Sequence, residues 1–217
     1  TNIGGTTNIV NLCLEHRVHK LCHVSSVAAL GRPIDGASTD ENTHWVSSPK
    51  DSYYALSKHH SEMEVWRGIE EGLNAVIVCP AIILGPGKWE KGSSMLFKQV
   101  WNGLSYYTPG TNGFVDVRDV VNVLIQLMEG KIQSERFILC SESIPFKKTF
   151  DYIADGLGKK KPQIKVGPFL SNIAWRIAKI ISIISGKTPL ITKETVLAGN
   201  SISIYENKKI KTTLNYR

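Results

Sequence analysis

Tyr54 and Lys58 stand four residues apart in the run SYYALSK that spans positions 52–58. On a helix this spacing sets both side chains on one face, one turn apart. A phenol beside an ammonium is an acid–base device, because the cation favours the phenolate. Tyr53 has no such companion, since the residue four beyond it is Ser57. Tyr-x-x-x-Lys by itself also fits an ordinary solvated helix face. The elements that position the pair decide between the two.

Upstream, residues 18–24 (VHKLCHV) are apolar and β-branched enough for a short strand, and they run into Ser25 and Ser26. Serines at the carboxyl end of a strand lie where open α/β sheets take ligands. The pair itself falls in a helix expected over 52–71, with Ser52 or Asp51 as N-cap and Gly72 as its end. Residues 75–79 (AVIVC) form a buried-type strand closed by Pro80 and a turn, AIILGPG. Ile9, Val10, Leu12 and Cys13 make a helical stripe over 6–16. A Gly/Pro/Ser/Asp-rich loop over 30–50 is expected to cover the mouth of a site. Further on, a helix over 93–101, an irregular segment over 106–113, a helix over 115–128 and a strand over 136–140 follow, and beyond Pro145 the pattern turns mostly helical.

Five stretches in order resemble one family: NIGGTTNIVNLC from Asn2, HVSSVAALG from His23, YYALSK from Tyr53, PAIILGPG from Pro80 and GFVDVRDV from Gly113. They resemble the extended short-chain dehydrogenase/reductases, the NAD(P)-dependent epimerase/dehydratase group, and most closely its dihydroflavonol-reductase-like members. The resemblance implies an α/β fold. The carboxyl-terminal part of a Rossmann-like doubly wound parallel sheet would occupy residues 1–144. A small, mostly helical substrate-binding region would occupy 145–217, with 88–113 contributing to it.

It also implies roles. Tyr54 would exchange the hydroxyl proton while hydride moves between substrate and NAD or NADP. Lys58 would assist Tyr54 and hold the nicotinamide ribose, and Ser26 would polarise the substrate oxygen, with Ser25 as a competing choice. Pro80, Ala81, Ile82 and Ile83 would line the nicotinamide pocket, with Ser25, Ser94 and Asn2 near the cofactor. Asp116, Arg118 and Asp119 match a signature read as structural, a carboxylate at a helix start with Arg118 pairing nearby. The activity implied is reduction of a ketone or aldehyde to an alcohol. A nucleotide-sugar epimerase or dehydratase, and a non-catalytic binding protein on the same fold, are the rivals. A homodimer and a cytoplasmic setting are also implied.

The family opens with a strand and a Gly-x-x-Gly-x-x-Gly turn that holds the cofactor pyrophosphate. Gly4-Gly5-Thr6-Thr7 lacks that spacing. The chain is therefore expected to start partway into the fold, which would leave the strand at 18–24 as an open edge prone to pairing.

Composition excludes several other classes. Hydrophobic residues at 42% and charged residues at 21% suit a globular chain rather than a disordered one. Cys13, Cys22, Cys79 and Cys140 show no Cys-x-x-Cys spacing and read as reduced core residues. His59 and His60 read as exposed helix residues, and no metal site is expected. The net charge of +7 comes from dispersed lysines without interleaved aromatics, which argues against nucleic acid. The most apolar stretch, 169–185, is interrupted by Arg176 and Lys179 and falls short of the ~20 residues of a membrane span. It reads first as a buried or amphipathic helix, and second as a peripheral membrane contact.

Overall fold

The computed structural model describes residues 2–33, 36–48, 51–186, 192–214 and 216. Helices and strands alternate. The chain opens with α1 (Asn2–Glu15), β1 (Leu21–Val24), a 3-10 turn (Val27–Leu30), α2 (Tyr53–Glu70), β2 (Ala75–Pro80) and β3 (Ile82–Leu84). Next come α3 (Met95–Trp101), β4 (Tyr106–Tyr107), β5 (Thr111–Asp116), α4 (Val117–Glu129), β6 (Glu135–Leu139) and β7 (Glu142–Pro145). The chain closes with α5 (Phe146–Leu157), β8 (Ile164–Lys165), α6 (Pro168–Ser185), α7 (Lys193–Asn200) and α8 (Lys208–Thr213). Residues 34, 35, 49 and 50 of the expected loop lie outside the described residues.

Two units are distinct. The first holds residues 1–85, 113–142 and 204–217; the second holds 86–112 and 143–203. In the first, β1, β2 and β6 form a parallel sheet in that order, with Leu21 opposite Ala75 and Val76 opposite Glu135. All six residues of β2 are buried, as a central parallel strand with both faces covered requires. Ala75, Ile77 and Cys79 face a cluster with Val10 and Cys13 of α1 and Val65 of α2. Val76 and Val78 face the opposite cluster, with Val120, Val123 and Leu127 of α4 and Ile210 of α8. Helices thus cover both faces, the doubly wound arrangement expected from the sequence, with β1 at the sheet's edge among the described residues.

Several boundaries differ from the sequence expectations. Residues 82–84, expected as a turn, form β3, which pairs in parallel with β5 from Ile82 opposite Phe114 to Leu84 opposite Asp116. The segment expected to be irregular over 106–113 contains β4 and the start of β5, and Val115 belongs to that strand rather than to the next helix. Asp116 ends β5 and caps α4: its carboxylate accepts from the Arg118 backbone N–H at 2.8 Å and pairs with the Arg118 guanidinium at 2.6 Å. That is the structural role expected for it. Gly113 is required by close approach, since a Cβ there would stand 2.7 Å from both Cys140 Sγ and the Tyr205 ring. Residues 204–217, grouped by the sequence with the second region, pack with the first. Ile210 is fully buried, and Asn207 donates to the Cys140 carbonyl.

In the second unit β4 and β8 pair in parallel, and α6 packs on α7. Lys147 lies over the Tyr107 ring and Lys159 over the Trp101 ring.

Candidate active site at the carboxyl end of β1

β1 ends at Val24, and the Ser25 backbone N–H still donates to the Val78 carbonyl of β2 at 2.8 Å. Ser26 then turns the chain into the 3-10 turn, its Oγ accepting from the Ala28 N–H at 3.2 Å. Gly31 ends that turn at φ +80, a conformation that favours glycine. Across the sheet end, Ser52 caps α2 by accepting from the Ala55 N–H at 3.1 Å, so Tyr53 and Tyr54 open the helix. Tyr53 is 86% exposed and Tyr54 52%. The Tyr54 hydroxyl makes no hydrogen bond to the described residues.

Lys58 ties the helix to the strand: its Nζ donates to the Val24 carbonyl at 3.0 Å. An ammonium has three donors, so two remain beside Tyr54 and the strand end. Asn2 Nδ2 donates to Ser57 Oγ at 3.1 Å, and Ser57 Oγ donates to the Tyr54 carbonyl at 2.9 Å, which fixes the start of α1 against the same turn of α2. Asn2, Lys58, Tyr54 and the Ser25–Ser26 corner are therefore gathered around one end of the sheet. Pro80 and Ala81 are buried at the adjacent end of β2, and Ile82 and Ile83 follow half-buried in β3. Ser94 belongs to the second unit, at the start of α3, where its side chain makes no capping hydrogen bond. A groove of about 340 Å³ runs along the edge strand between Asn2, Gly5, Thr6 and Ile9 of α1 and Leu21 and His23 of β1. A half-exposed phenol one helical turn from an ammonium with donors to spare can exchange a proton with a bound oxygen and stabilise the resulting phenolate.

Beneath this corner is a buried network that the sequence expectations omitted. Glu62, 2% exposed, accepts from Ser25 Oγ at 2.6 Å and pairs with Arg136 at 2.8 Å. Trp66 Nε1 donates to the same carboxylate at 3.3 Å and Cys79 Sγ at 3.5 Å. Arg136 also donates to the Glu41 carbonyl, and the Glu41 carboxylate accepts from the Ile138 N–H at 2.9 Å. The Ser25 hydroxyl is thus directed into the core. Burial and the neighbouring Glu62 push the Cys79 thiol well up. The spacing could have found Glu62, which stands four residues after Lys58 and eight after Tyr54 on the same helix face.

His59 differs from its expected exposure. It is half-buried, stacked on Trp45 with ring centroids 4.3 Å apart, with Nδ1 3.2 Å from the Ala29 carbonyl oxygen. The four cysteines are free, and no cluster suited to a metal occurs among the described residues.

His23 adds a pH dependence. Its Nε2 is buried without a hydrogen bond, and burial, with the Lys58 charge second, lowers its pKa from 6.5 to about 4. Between those values the unfolded chain binds a proton that the native chain refuses, so stability falls as pH drops. The loss should be about 2 kcal/mol by pH 5, approaching about 3 kcal/mol once both states are protonated. Urea denaturation at pH 7 and pH 5 measures it, and His23→Gln should flatten the difference. An unchanged difference in that variant would move the effect to other groups.

The model of the NAD dependent epimerase/dehydratase family matches residues 1–140. Sterol demethylase protein B of Methylococcus capsulatus is 29% identical over 175 residues, covering 78% of this chain and 52% of that protein. A putative dihydroflavonol 4-reductase of Synechocystis is 26% identical over 219 residues, covering 96% of this chain and 63% of its own length. The chain thus spans between about two fifths and two thirds of the length of the curated relatives it matches. The crystal structure of gox2253 superposes over the whole chain and 66% of that structure, with a TM-score of 0.80 and 29% identity. With the matched stretch running from the start of the chain through β6, and with the fold shared, this chain belongs to the NAD dependent epimerase/dehydratase family.

Proposed function

We propose that the protein is an NAD(P)-dependent oxidoreductase that reduces a ketone or aldehyde to an alcohol. The observation that carries this reading is the Lys58–Val24 hydrogen bond, which holds the Tyr54 turn of α2 over the strand end where Ser26 sits. The relatives named putative dihydroflavonol 4-reductase and Sterol demethylase protein B, and the family's NAD dependence, support it. When bound, the reduced nicotinamide supplies a hydride to the carbonyl carbon. Ser26 Oγ accepts from the Ala28 N–H and so keeps its own proton to donate to the carbonyl oxygen, polarising it. Tyr54 then gives its phenolic proton to the oxygen as the C–O double bond becomes a single bond, leaving a phenolate. Lys58 stabilises that phenolate with its charge and spends its remaining donors on the ribose hydroxyls. Asn2 keeps the start of α1 against this turn, and Pro80, Ala81, Ile82 and Ile83 supply the apolar wall for the nicotinamide ring. Ser94 is assigned a cofactor contact only through the family resemblance. A cytoplasmic setting suits four free thiols and a small-molecule carbonyl substrate.

Net loss of NADH or NADPH absorbance with a panel of aldehydes and ketones tests the proposal in the whole protein. Stoichiometric oxidation with alcohol formation is expected. Conversion of a nucleotide sugar without net loss of absorbance would instead assign the epimerase or dehydratase reaction of the same family.

A further inference from the structure

α6 carries its amphipathicity inside out. Phe169, Leu170, Ile173, Ile177, Ile180 and Ile181 are between 42% and 77% exposed. At 100° per residue these six lie on one face, within an arc of about 120°. The opposite face turns toward the unit and, apart from Trp175, is small or polar: Ser171 is buried, and Ala174, Trp175, Ala178 and Ser182 are half-buried. That inner face is fixed to α7, where Asn200 Nδ2 donates to Ser171 Oγ at 3.0 Å. Pro168 in the first turn and Gly186 as a left-handed C-cap define the ends. A helix that buries serine and alanine while exposing phenylalanine and isoleucine is shaped for something other than water.

The charge says what covers it. No Asp or Glu occurs in α6, and Arg176 and Lys179 flank its apolar stripe. The Arg176 guanidinium is held along the helix by the Asn172 carbonyl at 2.7 Å and stacks over Trp175. Across the second unit, thirteen Lys and Arg stand against four Asp and Glu, a net +9, whereas the first unit carries a net −2. The entire positive excess of the chain thus belongs to the unit that exposes this stripe. No described helix is long and apolar enough to cross a membrane, so such a helix would lie in the interface plane.

We propose that the outer face of α6 docks the protein on an anionic lipid bilayer. The six apolar side chains enter the headgroup–acyl boundary, and Arg176 and Lys179 reach from the flank to lipid phosphate and carboxylate groups. Co-sedimentation of the protein with vesicles of phosphatidylcholine, with and without 30% phosphatidylserine (about one lipid in three, a typical anionic surface), tests it. Binding to the anionic vesicles should be at least about tenfold tighter than to phosphatidylcholine alone and should weaken in high salt. Ile177→Glu with Ile180→Glu should abolish binding, and Arg176→Ser with Lys179→Ser should weaken it about tenfold or more. All four sites are exposed, so thermal melts should move little. Phe169→Trp gives an independent readout: its emission should shift to the blue on anionic vesicles and be quenched by brominated acyl chains. Absence of binding by the folded protein, equal binding to both vesicle types, or retention of binding by the Ile177→Glu/Ile180→Glu variant would overturn the proposal. So would a dimer in ultracentrifugation that those two substitutions split, which would assign the face to a second copy.

Discussion

Tyr54→Phe is expected to reduce turnover by ~10²–10⁴-fold while leaving the melting temperature and cofactor affinity nearly unchanged. The Tyr54 hydroxyl makes no hydrogen bond to the described residues, and the ring is half exposed. Removing the oxygen therefore costs the fold little and takes away the one phenolic proton next to Lys58. Phenylalanine keeps the ring where the Ser52 cap sets it. The measurement is kcat with a saturating carbonyl substrate, alongside a thermal melt. Turnover within threefold of the natural protein would remove Tyr54 from the chemistry (threefold is under about 1 kcal/mol of barrier).

Glu62→Ala should have the largest effect on stability of any single change around the site. It leaves the Arg136 guanidinium, 19% exposed at its side chain, without its carboxylate, and strands the Ser25 and Trp66 donors that Glu62 accepts. Breaking one side of a buried ion pair costs about 3–5 kcal/mol. In a domain of this size that corresponds to a fall in melting temperature of about 10 °C or more. Glu62→Gln keeps an acceptor for Ser25 and should lose less. A double substitution, Glu62→Gln with Arg136→Met, should recover part of the loss, because the uncompensated charge is gone. Equal stability of Glu62→Ala and the natural protein in urea titration would show that the network contributes nothing net.

The part of the site that the sequence displays most clearly is local. Tyr54 and Lys58 share a helix face by spacing, Ser52 announces the cap, and Asp116 with Arg118 marks the start of α4; each signal lies within four residues of its partner. The apolar run of β2 is equally plain, because a strand covered on both faces has no polar side to disguise it. What escaped notice depends on distance along the chain. Glu62 and Arg136 are 74 residues apart: the helical spacing can set Glu62 one turn beyond Lys58, but nothing local names Arg136 as its buried partner. β3 and the start of β5 were hidden for another reason. They are short, they sit among Gly and Pro that read as turns, and their partners are far away in sequence: β3 pairs with residues 114–116 of β5, and Thr111 bonds to Ser201 and Ser203. For α6 the periodicity shows two faces but not which of them the fold covers. Small residues on the inner face, usually a weak signal, proved to be the packed side.

Transfer of label from the cofactor tests the central claim most directly. NADH or NADPH carrying deuterium at C4 is incubated with the whole protein and an aldehyde or ketone that it consumes. The account predicts one deuterium on the carbinol carbon of each alcohol formed, from one face of the nicotinamide only, and no detectable transfer with Tyr54→Phe on the same timescale. An alcohol free of deuterium, or transfer undiminished in that variant, would contradict it.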